Sequence, residues 1–253
     1  MDANEFNAQI RAACDLINRL EVSRIVSWTR SLSVSAAFRA VALDDLASYE
    51  TIYKAGLTLS HYNVLLKDYS YFQFTHTSQD SWRLAFLPNP WLSGVSSAMD
   101  ELSQWEEAEA EGFLSDEDVS MLMDGMAYEC RIPPIRFEYA QAQYKELSHP
   151  AAHFHIGRHY ENRWPSALKL GPRVFVMLVL KMYYPERWGP LSRFASGVGE
   201  GECLDAALIQ AAGRDAAVHD FSENERQSPH FGRNLVALPP PPAPERDKRA
   251  KRR

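Results

Sequence analysis

Four of the eight histidines in this chain fall within eleven residues: His149, His153, His155 and His159. Imidazole titrates near neutral pH, so two facing histidines can serve as general base and general acid, and a His-x-His pair can also ligate a metal. Just upstream, Ile135-Arg136-Phe137-Glu138-Tyr139 adds a guanidinium and a carboxylate in strict alternation with apolar residues. Read as strands, both stretches send successive side chains to opposite faces. Ile135, Phe137 and Tyr139 then share a core face with Ala152, Phe154 and Ile156. Arg136 and Glu138 share the other with His153 and His155. If the two strands pair, an arginine, a glutamate and two or three histidines meet on one patch of sheet.

Three readings of that patch stay open. In the first, His149, His153, His155 and Glu138 are catalytic, the histidines moving protons and Glu138 orienting one imidazole. Arg136, with Arg158 or Arg163, then holds a phosphate through its planar fork of donors. This fits hydrolysis of a nucleotide or phosphodiester, without a metal in its simplest form. In the second, His153 and His155 bind a divalent metal, completed by His149 or Glu138. In the third, the polar residues only hydrogen-bond one another on a sheet face.

The surrounding elements must position these groups. Phe6, Ile10, Cys14 and Ile17 recur at helical spacing and predict an opening amphipathic helix. Val22 to Phe38 is expected to form a strand pair, and Asp44 to start a helix through Tyr53 that Gly56 ends. Residues 71–77 and 82–87 read as a hairpin turning at Ser78–Ser81 and stopped by Pro88 and Pro90. Tyr69, Tyr71, Phe72 and Phe74 read as core, since no basic residues interleave with them to bind RNA. Met99, Leu102 and Trp105 mark an acidic helix, and Ser115 with Asp118 forms a capping box for another through Met126. Pro172 opens a buried apolar helix over 171–184, and a shorter one covers about 202–212. The glycine run 197–201 lacks phosphate-loop spacing and reads as a loop. Without a βαβ rhythm, the expected class is α+β, a mostly antiparallel sheet with helices packed on one face. Residues 1–225 form one domain, and 226–253 form a Pro-rich, basic, disordered tail.

The net charge of −6 over 253 residues is unevenly spread. Residues 84–130 contain eleven acids and no Lys or Arg, whereas 131–193 hold ten basic and four acidic residues. An anionic ligand such as a nucleotide or nucleic acid therefore suits the second block. The acidic segment 100–118 and the basic tail 239–253 are candidate docking surfaces for a protein partner. Three scattered cysteines, no leader-like start and no apolar run near the ~20 residues of a membrane span point to a cytoplasmic protein with no membrane contact.

The chain resembles a bacterial family known as domain of unknown function 2290. The resemblance lies in residues 82–90, in Pro134–Tyr139, in His149-Pro150-Ala151-Ala152-His153-Phe154-His155-Ile156-Gly157, in Arg163-Trp164-Pro165 and in the helix after Pro172 leading to Tyr183-Tyr184. It covers about 82–188. In the family, as the resemblance implies, Asp stands at the position of Glu138 and the position of His155 varies, which gives weight to His149, His153, Arg136 and Glu138. It implies no reaction, only an accessory role in a mobile-element or defence locus. The leading expectation is thus a hydrolase of nucleotides or phosphodiesters. Its alternative is a non-catalytic, antitoxin-like docking protein or complex subunit.

Overall fold

The computed structural model describes residues 1–93, 96–126, 131–158, 162–193, 203–214 and 222–227. In chain order the elements are α1 (Ala3–Arg19), β1 (Ser23–Val26), α2 (Ala36–Ala42), α3 (Tyr49–Thr58), β2 (Val64–Leu66), β3 (Tyr71–Ser78) and β4 (Ser81–Leu87). There follow α4 (Ser96–Ala110), α5 (Asp116–Asp124), β5 (Ile135–Ala140), β6 (Ala152–Ile156), β7 (Trp164–Pro165), α6 (Pro172–Tyr183), α7 (Pro185–Trp188), α8 (Leu204–Ala212) and α9 (Glu223–Gln227). The seven strands form one antiparallel sheet in sequence order, each paired with the next. The chain is therefore α+β, as its alternating patterns suggest.

One face of the sheet is apolar. Phe72, Phe74, Trp82, Leu84, Phe86, Phe137, Tyr139 and Ala152 are buried there against α1 (Phe6, Ile10, Ile17) and α6 (Val176, Leu180). Each fully buried aliphatic or aromatic side chain contributes ~1.5–3 kcal/mol relative to exposure, so this layer dominates the stability. Pro172 occupies the first turn of α6, where its missing N–H costs nothing. The opposite face is divided. Over β2–β4, α3 lays Tyr49 and Tyr53 on Leu65, Tyr71, Ala85 and Leu87. Over β4–β6 the same face carries charged and imidazole side chains instead.

Several local expectations change. Only Ser23–Val26 of the stretch from Val22 to Phe38 is a strand, and Ser35 caps α2, its hydroxyl accepting from the Phe38 N–H at 3.1 Å. Asp44 does not start a helix. Its carboxylate accepts from the Leu46 N–H at 2.9 Å, and Ser48 caps α3 instead. Gly56 lies inside α3 and does not end it; the position is glycine because a Cβ there would sit 2.0 Å from the Tyr71 hydroxyl. The capping box forms, with the Ser115 hydroxyl and N–H both donating to Asp118 at 2.6 and 2.9 Å, but α5 ends at Asp124. Tyr71, Phe72 and Phe74 are fully buried and offer no stacking surface. The short strands β2 and β7 carry too few residues to show a period. Met99's side chain, His159, the glycine run 197–201, Cys130 and the basic tail lie outside the described residues.

Candidate functional site

The register of three strands builds the cluster. Arg83 of β4 stands opposite Glu138 of β5, which stands opposite His153 of β6. One step along, Ala85, Arg136 and His155 form the next row. The two outward rows thus place Arg83, Arg136, Glu138, His153 and His155 on one side of the sheet, while Phe137 and Phe154 fall on the other at ring centroids 5.3 Å apart.

Glu138 is the hinge of the charge arrangement. Its Oε1 lies 2.8 Å from the Nε of Arg83 and 2.8 Å from the Nε of Arg136. Burial raises its pKa, but the two guanidinium groups, then His155 and His153, outweigh it and hold the carboxyl below its ordinary value. Glu138 therefore serves the arginines first. The group that orients His153 is the Pro150 carbonyl, 2.7 Å from Nδ1. A carbonyl only accepts, so Nδ1 carries the proton and the neutral ring leaves a lone pair on Nε2. That Nε2 lies 3.0 Å from Nε2 of His155.

Both imidazoles are deeply placed, His153 at 0% and His155 at 4% exposure. Desolvation lowers the pKa of each, with Arg136 also acting on His155, which is pushed down to about 3. His149 is half-buried, its ring edge-on to His153 at 5.1 Å, and its Nε2 is enclosed without a hydrogen-bond partner. Burial, and next Arg163, lower its pKa too. Arg163 sits within electrostatic reach of His149, His153, His155 and Arg136. Arg158 is engaged elsewhere, donating to the Asp45 carbonyl at 3.0 Å. It lines a cleft of about 460 Å³ with Ser48, Tyr49, Pro134 and Gly157, which contains none of the imidazoles.

The structure thus brings together His149, His153, His155, Glu138, Arg136 and Arg163. It adds Arg83, which the sequence reading overlooked. The signal was present: between Trp82 and Leu84, which face the core, Arg83 must face outward. Among the described residues, one set could hold a metal, Glu138 with His153 and His155, whose ligand atoms all lie within 4.8 Å of one another.

A family model described as uncharacterized conserved protein (DUF2290) matches residues 12–233 and so spans the whole sheet and this cluster. The chain belongs to this family. The match extends well beyond the 82–188 in which the resemblance is readable by eye. No curated protein and no solved structure matches the chain. Among the described residues, no helix is long and apolar enough to cross a membrane.

Proposed function

We propose that this DUF2290 protein binds and hydrolyses a nucleotide or phosphodiester on the β4–β6 face. One observation carries the reading: two guanidinium groups, Arg83 and Arg136, hold a single carboxylate, and a third, Arg163, stands within electrostatic reach of the three imidazoles beside it. With the imidazoles neutral, Arg83 and Arg136 bring one positive charge more than Glu138 cancels, which favours an anion on this face. Arg83 and Arg136, half-exposed above the buried rings, present Nη donors to phosphate oxygens. The same groups stabilise the added negative charge of an in-line transition state. The neutral imidazole of His149, the least buried of the three, accepts the proton of the attacking water. His153 packs edge-on to it and is itself fixed by the Pro150 carbonyl.

The setting that the family resemblance implies is a bacterial mobile-element or defence locus. The alternative, an antitoxin-like docking role for the acidic helix, loses ground because Glu106 of α4 is already spent within the chain. It pairs with Arg24, whose guanidinium lies 4.5 Å over the Tyr69 ring. The test is turnover of nucleotides, RNA and DNA by the full chain and by His149→Ala and Arg136→Met, with and without divalent metal. We expect hydrolysis that falls ~10²–10⁴-fold in His149→Ala. A wild type that neither turns over nor binds any phosphate compound overturns the proposal.

A further inference from the structure

The contact between His153 and His155 closes as a hydrogen bond in only one tautomer of His155, and that tautomer leaves another ring nitrogen unsatisfied. With Nδ1–H of His153 donated to the Pro150 carbonyl, its Nε2 can only accept. His155 then has two choices. If its Nε2 carries the proton, it donates to His153 across 3.0 Å, and its Nδ1 lone pair is buried with no hydrogen-bond partner. If its Nδ1 carries the proton, two bare Nε2 lone pairs confront each other at 3.0 Å. A cation held by both nitrogens removes that confrontation. Two nitrogens each about 2.1 Å from an ion stand ~3.0 Å apart at a right angle and ~3.4 Å apart at the tetrahedral angle, so the pair sits at the octahedral spacing and opens by a few tenths of an ångström for a tetrahedral ion.

The remaining parts of a metal centre are also in place. A carboxylate oxygen of Glu138 lies within 4.8 Å of both imidazole ligand atoms. The Pro150 carbonyl does for His153 what outer-shell partners do for metal-bound histidines, fixing the tautomer and aiming the lone pair. Adjacent registers on two paired strands hold the three ligands, so the backbone positions them without a flexible loop. Two imidazoles and one carboxylate on one side of an ion leave its other positions open.

We propose that Glu138, His153 and His155 bind one divalent first-row transition ion, of the Zn²⁺ or Co²⁺ type. The ion stands beside Arg83 and Arg136, which share Glu138 with it. A divalent ion and two guanidinium groups exceed the single carboxylate in charge, so the loaded site takes an anion on the metal's open side. That last step rests on the phosphate reading above, whereas the metal site stands without it.

The test starts from the full chain stripped with a chelator and dialysed free of it, titrated with ZnCl₂ by calorimetry. The expected result is one equivalent bound, with a rise in thermal midpoint. CoCl₂ should develop the visible d–d absorption of an ion held by protein nitrogens and oxygen. His153→Gln and His155→Gln should each weaken binding by at least the ~10–100-fold typical of lost outer-shell partners. His76→Gln, at a histidine remote from the cluster, should bind as wild type. Wild type that leaves one equivalent of both ions unbound overturns the site, as do folded His153→Gln and His155→Gln proteins that bind as tightly as wild type. If those variants fail to fold, the Co²⁺ spectrum of wild type decides: that of the free aqueous ion overturns the proposal. Binding of inorganic phosphate in excess chelator separates the two readings. Phosphate bound there by a protein that takes up no metal overturns the metal site and leaves the phosphate reading standing. Metal bound without phosphate affinity, with or without the ion, does the reverse.

Discussion

At the scale of the residue, Glu138 decides what the face prefers. It draws charge from Arg83 and Arg136, both at 2.8 Å, and so partly cancels the cations that would hold a phosphate. Glu138→Gln removes that cancellation. In the presence of chelator, we expect inorganic phosphate to bind the variant about tenfold more tightly, as a lost unit charge at a few ångström is worth ~1–4 kcal/mol between the dielectric of water and that of a protein surface. The same substitution leaves two half-exposed guanidinium groups without their carboxylate, so the variant should also lose ~1 kcal/mol of stability, a figure discounted for solvent screening. Calorimetric phosphate titration and urea unfolding of the same preparation read both effects. Tighter phosphate binding with lower stability is a combination that simple damage to the fold does not produce.

At the scale of the element, two contacts test how the site is held. The loop that delivers His149 is pinned from α9. The Glu225 carboxylate, fully buried, accepts from the Tyr144 hydroxyl at 2.9 Å and from the Leu147 N–H at 3.3 Å. Glu225→Ala takes the charged acceptor from the part-buried Tyr144 and Leu147 donors, at ~1.5–3 kcal/mol, and should speed amide exchange in 141–149 more than in β3 or β4. On the other half of the same face, Gly56 lets Tyr71 press its hydroxyl against α3 and donate to the Tyr53 carbonyl at 3.1 Å. Gly56→Ala forces the phenol aside and should destabilise by ~1–3 kcal/mol in urea unfolding, although alanine is the better helix former. These contacts also show where sequence reasoning stopped. Period-2 alternation over 135–139 and 152–156 was enough to sort core from outward residues, and so to assemble Arg136, Glu138, His153 and His155. Gly56 reads as a helix stop because its reason for being glycine lies fifteen residues away on β3. The carbonyl of Pro150 is invisible for a similar reason, since a main-chain acceptor leaves no mark in residue type. The pairing of Glu138 with Arg83 required knowing which strands are neighbours.

At the scale of the whole molecule, the uneven charge has a structural consequence. The acidic segment folds back, with Leu102 and Val119 buried beside Leu92 and with Glu106 tied to Arg24, so that its charge is held at the β1 side of the sheet. The basic block folds as β5 to α6 and includes the opposite edge. Arg83 and Arg136 of the cluster lie on that half of the sheet, which suits the anion proposed above. The price of gathering histidines in protected positions is acid sensitivity, and the sign follows from each group. His61 is buried against the Phe38 ring at 4.7 Å, and burial lowers its pKa. The unfolded chain takes up this proton at about 6.5 while the folded chain resists it, so stability is full above that pH and falls as pH drops below it. His149, His153 and His155 act in the same direction. Asp205 works in a lower window. The Lys181 ammonium at 2.6 Å, and then the Arg193 N–H at 3.0 Å, hold its carboxyl below the usual range. Its contribution is present above about 3.9 and is lost as pH falls through the depressed folded value. Urea midpoints measured in chelator at pH 8.0, 5.0 and 3.5 separate the two. Wild type should lose stability between the first two pH values, and His61→Phe should lose less over that interval. Asp205→Asn should start ~1 kcal/mol lower at pH 8.0, keep that deficit at pH 5.0, and stand closer to wild type at pH 3.5. A His61→Phe curve parallel to wild type from pH 8.0 to 5.0 would show that this buried imidazole does not set the acid limit of the fold.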